Sequence, residues 1–143
     1  HIPQRIANRA ANVLRGEGIR AKVAPLRTGG PSTGAGIFLT ARYKSLTAGF
    51  SALGARGKPS EQVANEACAA LLSHHATGAP VDPHLADQLV LPLALAEGPS
   101  TLHTSAVTRH LLTVVDVTRQ FTLRLITVTG QEGRPGQVTL AGG

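Results

Sequence analysis

The sequence predicts an α+β fold made of two small lobes. The chain has 143 residues, of which 42% are apolar, and this is enough to bury one core or two small ones. Helix-like and strand-like patterns alternate along it, and they restart after the segment TGAPVDP at 77–83, whose glycine and proline content is typical of a linker. We therefore expect one lobe over residues 1–78 and a second over 79–143.

The first lobe is predicted as a helix, three strands and a second helix. The opening helix is indicated by apolar residues at helical spacing after Pro3, namely Ile6, Val13 and Leu14. Three segments read as strands, IRAKVAPL, GIFLTARY and SLTAGFSAL, of which the last two form a hairpin turning at 43–45. A second helix opens at 58–60 and ends before Gly78. Its predicted apolar stripe is Val63, Ala67, Ala70 and Leu71.

The second lobe is predicted to open with a helix over HLADQLVLPLALA. Asp82 is the expected N-cap and Pro83 the first helical residue, while Pro92 should kink or shorten the helix. The strand STLHT and the helix TRHLLTVVDVTRQF follow, and the strands LRLITVT and QVTLA close the chain around the turn EGRPG. The buried side of the second helix is predicted to comprise Leu111, Val114, Val115 and Phe121.

Charge is distributed unevenly between the two ends of the chain. Residues 1–60 carry ten lysines or arginines against one acid, Glu17, whereas residues 61–143 carry four arginines against seven acids. Such a distribution is expected where a polyanion binds to one lobe, although a solvated basic face explains it equally well. Aromatic residues make up only 3% of the chain, so we do not expect an aromatic platform that stacks bases of a single strand.

Composition also bears on the cellular setting. No apolar run is long enough to span a membrane, and no leader of the signal-peptide type is present. One cysteine, Cys68, is compatible with a reducing compartment, so a cytoplasmic location is expected. The chain contains no methionine, not even at position 1, and we expect it to be part of a longer protein.

The segment RTGGPSTGAG at 27–36 invites comparison with a phosphate-binding loop. Gly29 and Gly34 have the spacing of a P-loop, but Ala35 and Gly36 stand where lysine and serine or threonine are required. We therefore predict a connection between strands in which glycines supply positive φ angles, and direct phosphate binding is the less favoured alternative.

Cys68, His74 and His75 invite a metal-site interpretation. Cys68 and His75 lie two helical turns apart, whereas zinc sites need three or four ligands at tighter spacing. A buried cysteine and histidines favoured by the dipole at a helix end explain them better, so no metal site is predicted. His103 is expected to pack or to face solvent.

The segment VTRHLLT at 107–113 places Arg109 and His110 where a polar turn meets an apolar run. His110 is either a helix-start histidine that binds a backbone carbonyl or a nucleophile, and composition does not distinguish the two.

Two segments together resemble the RNA 3′-terminal phosphate cyclase family. In that family an H/Y-L-x-D-Q-L segment on a nucleotide-binding helix precedes a T-x-H-x-x-T segment that bears the catalytic histidine. Here they read HLADQL at 84–89 and TRHLLT at 108–113. The stretches STGAGIFLTA and AGFSALGARGKPSEQVANEAC resemble the family's inserted domain, and VTGQEGRPGQVTL resembles its C-terminal tail.

The resemblance implies a two-lobed cyclase-like architecture, with an insert domain over 1–78 that lacks its first strand and the last catalytic-domain segment over 79–143. It implies that His110 attacks the α-phosphate of ATP, with Mg²⁺ or another divalent cation as cofactor and RNA bearing a 3′-terminal phosphate as partner. Arg109 is either a charge clamp or a solvent-facing side chain, since nothing in the motif requires arginine at this position. The implied nucleotide contacts are His84, Leu85, Ala86, Asp87 and Gln88. The sequence leaves the oligomeric state open.

Two alternatives of other classes accompany this interpretation. One is a non-catalytic cyclase-like protein that binds RNA or protein in ribosome biogenesis, and the other is a basic RNA-docking module. Relatives of the first kind lose the catalytic histidine, so His110 together with Asp87 favours the enzyme.

Overall fold

The computed structural model describes residues 1–31 and 33–142. The described part holds four helices and five strands: α1 (Ile2–Gly16), β1 (Gly36–Arg42), β2 (Thr47–Leu53), α2 (Ser60–Thr77), α3 (Pro83–Leu95), β3 (Ser100–Thr104), α4 (Arg109–Arg119), β4 (Ile126–Thr129) and β5 (Gly136–Leu140). This mixture of helices and small sheets confirms the predicted fold class. Among these residues, no helix combines the length and apolar content needed to cross a membrane.

The chain divides into two units, each with its own apolar core. The N-terminal unit comprises His1–Ser73 and the C-terminal unit His74–Gly143. The division falls ahead of the boundary predicted after residue 78, which stays a prediction about domain organisation. Each unit is described separately below.

The N-terminal unit packs helices on one side of a two-stranded sheet. β1 and β2 are antiparallel, with Gly36 opposite Leu53 and Arg42 opposite Thr47. The amide of Tyr43 donates to the carbonyl of Leu46 at 2.8 Å and closes the turn, so the predicted hairpin is confirmed. The core is built from α1, one sheet face and α2, and its members include Ile6, Leu14, Leu39, Phe50, Val63 and Leu71.

Three predictions for the N-terminal unit are wrong. Residues 19–26 do not form a strand: Ile19 and Val23 pack on the core, but the segment pairs with no strand among the described residues. Ala70 is exposed, so it is wrongly placed on the buried stripe of α2, whereas Val63, Ala67 and Leu71 are buried as predicted. In the described part of loop 27–36, which excludes Ser32, Gly29, Gly34 and Gly36 are not among the glycines with positive φ.

The C-terminal unit packs α3 and α4 on an antiparallel sheet of order β3-β5-β4. The predicted cap of α3 is confirmed, because Asp82 is its N-cap and Pro83 its first residue. The predicted burial of Phe121 is wrong: α4 ends at Arg119, and Phe121 lies beyond it with 87% of its surface exposed. β4 begins at Ile126, later than predicted, and Leu123 and Leu125 before it are exposed.

The end of α3 is held by a side chain from outside the helix. α3 ends at Leu95, within one turn of Pro92. The Arg124 guanidinium donates to the carbonyls of Leu93 at 2.8 Å and of Ala141 at 2.8 Å, and it also reaches those of Ala96 and Gly98. It thereby satisfies carbonyls that a helix end leaves unpaired.

Candidate active site

Two helices of the C-terminal unit begin side by side. Val81, just before α3, bridges Thr104, just before the connection to α4, in parallel. The Val81 amide donates to the His103 carbonyl at 3.2 Å, and the Ser105 amide donates to the Val81 carbonyl at 2.9 Å. Because both chain segments run in the same direction, α3 and α4 start from the same end of the sheet.

The start of α3 is fixed by a buried carboxylate. Asp82 is 4% exposed, and one of its oxygens accepts from the amides of His84 and Leu85, each at 3.0 Å. A carboxylate in this position accepts hydrogen bonds from amides that have no partner within the helix, and its negative charge interacts favourably with the helix dipole.

The first turns of α3 display the segment 84–88. Ala86 is fully buried and Leu85 is half-buried, so both belong to the core side. His84 and Gln88 are exposed and Asp87 is half-buried. Residues three and four apart share a helix face, so His84, Asp87 and Gln88 form one polar face at the start of α3.

The start of α4 carries His110. Thr108 is the N-cap, and its hydroxyl accepts from the amide of Leu111 at 3.1 Å. His110 is therefore the second residue of α4, and its side chain is exposed. First-turn amides of a helix have no intrahelical partner and attract anions. The predicted helix start near Thr108 is confirmed, whereas the role of His110 stays a prediction.

Arg109 is already paired in this structure. Its Nε donates to Glu132 at 2.9 Å, and both side chains are largely exposed. An exposed pair of this kind is worth roughly 0–1 kcal/mol, so a phosphate could displace Glu132 readily.

The turn between β4 and β5 supports the approach to α4. The Val107 amide donates to the Arg134 carbonyl, and the Gly133 amide donates to the Val107 carbonyl, both at 2.8 Å. A Cβ placed on Gly136 would lie 2.3 Å from Val107 Cγ2 and 2.5 Å from the Thr129 carbonyl oxygen. Gly136 therefore lets the turn close directly against the residue that precedes the Thr108 cap.

A buried histidine contacts the connection that leads toward α4. His74 is 3% exposed, and its Nδ1 lies 2.9 Å from the Ser105 hydroxyl. Burial lowers the pKa of His74, the nearby Asp82 carboxylate opposes this shift, and His75 adds to it. The pairing could not be predicted from the sequence, because His74 and Ser105 lie far apart in the chain and neither belongs to a motif.

The donor set limits what kind of cation could bind. Within residues 1–31 and 33–142, no three His, Cys, Asp or Glu side chains cluster as a metal site. The Asp82 carboxylate caps α3, which leaves Asp87 as the carboxylate on the polar face of that helix. Magnesium commonly binds through one or two carboxylates together with substrate phosphates, so these residues fit a cation that arrives with a nucleotide.

A groove of about 500 Å³ opens elsewhere in the C-terminal unit. It is lined by the connection before α3, by β3 and by the β4–β5 turn, with His103 and Gln137 as cross-strand neighbours. Neither His110 nor any residue of the segment 84–88 lines it, so the groove and the helix starts are separate features.

Comparison with known proteins points to one family for both parts of the chain. The family model of the insert domain of RNA 3′-terminal phosphate cyclase (RTC) matches residues 1–76. The chain is 48% identical over 142 residues to the RNA 3′-terminal phosphate cyclase of Methylococcus capsulatus, covering 99% of this chain and 39% of that protein. It is 51% identical over 132 residues to that of Trichormus variabilis, covering 92% of this chain and 38% of that protein.

A third relative is more distant in sequence. The RNA 3′-terminal phosphate cyclase of Thermococcus onnurineus is 37% identical over 149 aligned positions, which cover 99% of this chain and 43% of that protein. The chain thus spans about two fifths of the length of the curated relatives it matches. The resemblance seen in the sequence is confirmed: the chain belongs to the RNA 3′-terminal phosphate cyclase family.

Proposed function

We propose that this chain supplies the nucleophile and part of the nucleotide site of an RNA 3′-terminal phosphate cyclase. One observation carries the proposal: the parallel bridge between Val81 and Thr104 brings the starts of α3 and α4 to the same end of the sheet. The segment 84–88 and His110 occupy those starts. A nucleotide held on the polar face of α3 would therefore present its phosphates near the first turn of α4.

The reaction begins with transfer of AMP to the protein. A neutral imidazole nitrogen of His110 attacks the α-phosphorus of ATP, the bond to the bridging oxygen breaks, and pyrophosphate leaves. Only the neutral imidazole has a nitrogen with a free electron pair, so the unprotonated form of His110 is the one that attacks. The free amides at the start of α4 stabilise negative charge on the phosphoryl oxygens.

The second half of the reaction uses the RNA end. The RNA 3′-phosphate attacks the adenylyl group and releases His110. The neighbouring 2′-hydroxyl then attacks the activated 3′-phosphorus, AMP leaves, and a 2′,3′-cyclic phosphodiester remains. Arg109 would exchange Glu132 for a phosphate oxygen during these steps, acting as a charge clamp.

A divalent cation such as Mg²⁺ would be held by Asp87 and the ATP phosphates. When bound, it offsets negative charge at the phosphorus. The nucleotide itself would contact His84, Asp87 and Gln88 by side chains, while Leu85 and Ala86 hold that turn of α3 against the core. The buried thiol Cys68 supports a reducing compartment, and we place the protein in the cytoplasm.

The test uses a protein in which these 143 residues replace the matching segment of the Methylococcus capsulatus relative, since the chain alone spans 39% of it. Incubation with α-labelled ATP and Mg²⁺ should leave an acid-labile, alkali-stable label on the protein. His110→Ala should abolish the label, and His103→Ala, which removes an exposed histidine on β3, should retain it. Absence of label from the unsubstituted protein, beside a labelled Methylococcus enzyme, would support a non-catalytic RNA-binding role instead.

A further inference from the structure

The outer face of the hairpin in the N-terminal unit combines an open aromatic ring, hydroxyls and a cation. Alternate residues of β1 and β2 point away from the core, and they include Phe38, Thr40, Arg42, Thr47, Ser51 and Leu53. All six are exposed, and 70% of Phe38 is accessible. Phe38 and Leu53 thus leave two large apolar side chains open to solvent on this face.

Gly49 allows the Phe38 ring to lie across the neighbouring strand. A Cβ on Gly49 would be 2.9 Å from Phe38 Cζ and 3.3 Å from Phe38 Cε2. The ring tip therefore rests on the backbone of β2, and the ring stays accessible from the solvent side. Such a supported and exposed ring is a platform on which a nucleic-acid base can stack.

The charge of the unit fits a polyanion. Residues 1–73 carry ten lysines or arginines against three acids. Arg5 pairs with Glu61 and Lys58 with Glu66, and Arg9 binds Asn65. The side chains of six exposed cations form no hydrogen bond or ion pair with another described residue, namely Arg20, Lys22, Arg27, Arg42, Lys44 and Arg56.

Arg42 places one of these positive charges on the same face of the hairpin as Phe38. It is the last residue of β1 and lies on the same side of that strand as Phe38 and Thr40. At ~3.4 Å per residue, Arg42 is about 13–14 Å from Phe38 along the strand. A single strand could therefore stack a base on Phe38 and place a phosphate on Arg42, with the hydroxyls of Thr40 and Thr47 between them.

We infer that this face of the hairpin, defined by Phe38, Thr40, Arg42, Thr47 and Ser51, binds single-stranded RNA. The inference rests on the proposed function only in taking RNA as the polymer. It revises the expectation drawn from the 3% aromatic content, because one ring in an open, basic setting suffices to stack a base. A duplex hides the faces of its bases, so it should bind this surface less well.

The test measures binding of the unmodified 143-residue chain to a short, unstructured RNA with a 3′-hydroxyl, by fluorescence anisotropy. Because this probe has no 3′-phosphate and ATP is absent, binding is independent of the proposed catalysis. Phe38→Leu should weaken binding about tenfold, the loss expected for one stacked base. The matched control is Phe121→Leu, which makes the same change at an exposed phenylalanine of the other unit and should leave binding unchanged.

A second pair of variants tests the phosphate contact. Arg42→Gln should reduce the slope of log affinity against log salt by about 0.7, the value for one phosphate contact on a single strand. Arg5→Gln removes the same charge from an arginine already paired with Glu61 and should leave the slope unchanged. Equal effects of Phe38→Leu and Phe121→Leu, equal affinity for single-stranded and duplex RNA, or no measurable binding would overturn the inference.

Discussion

Histidines near the starts of α3 and α4 have opposite environments, and this difference decides what each can do. His110 is exposed on the first turn of α4, as the proposed attack on a substrate phosphate requires. His74 is buried and bound to Ser105, so it supports the connection that leads toward α4. The first is suited to chemistry and the second to positioning.

The His74 environment predicts a pH dependence of stability. Burial lowers its folded-state pKa below the ordinary value of 6.5, so the unfolded chain binds a proton more readily. The stabilisation is therefore complete above about pH 6.5 and is lost as pH falls toward the lowered folded-state pKa. The unfolding free energy, measured with urea at neutral pH and at about pH 5, should fall less between these two pH values for His74→Gln than for the unsubstituted chain.

A matched substitution separates this effect from the other histidines. His103 is exposed on β3, so His103→Gln should leave the pH dependence as it is in the unsubstituted chain. An equal decrease in unfolding free energy for His74→Gln and the unsubstituted chain would contradict the role assigned to burial.

At the scale of elements, the β4–β5 turn holds the residue that leads into α4. Gly136→Ala would drive a Cβ into Val107 and the Thr129 carbonyl, so the turn or the start of α4 must move. We expect a loss of several kcal/mol in unfolding free energy, in the range of severe overpacking, and a loss of His110 labelling.

Gly133→Ala is the control in the same turn. Gly133 has a φ of +78° but open space around its Cβ position, so alanine there carries only backbone strain of about 1–2 kcal/mol. Gly136→Ala should have a much lower unfolding free energy and much less His110 labelling than Gly133→Ala. Equal stability of the two variants would show that Gly136 does not position α4.

The sequence predicted elements whose signal is local and missed features that depend on distant partners. Asp82 and Pro83 predict the start of α3, and Thr108 lies where α4 was expected to begin. Both starts were predictable because helix capping depends on a few neighbouring residues. Residues 19–26 alternate like a strand, but a strand also needs a partner, which periodicity does not reveal. Phe121 continues the apolar pattern of α4 beyond the end of that helix.

The residues of the candidate site could be predicted from their motifs, but their arrangement in space could not. His110 and the segment 84–88 were identified from their resemblance to a family. The Val81–Thr104 bridge and the His74–Ser105 contact join residues from separate parts of the chain. Their pairing is set by the packing of the C-terminal unit, for which no short segment carries a signal.

At the scale of the molecule, two cores stabilise two units. Leu14 belongs to the N-terminal core and Leu111 to the C-terminal core, and each is at most 1% exposed. Truncating either to alanine should remove about 2–5 kcal/mol. Amide exchange followed by mass spectrometry should show faster exchange within residues 1–73 for Leu14→Ala and within 74–143 for Leu111→Ala. Uniform acceleration across both ranges in either variant would contradict separate cores.

The most direct measurement of the central claim is the mass of the peptide that contains His110. After incubation of the segment-replaced cyclase with ATP and Mg²⁺ and digestion under alkaline conditions, we predict that this peptide gains the mass of one AMP and that fragmentation places it on His110. An AMP found on another residue, or no AMP on any peptide, would contradict the assignment of His110 as the nucleophile.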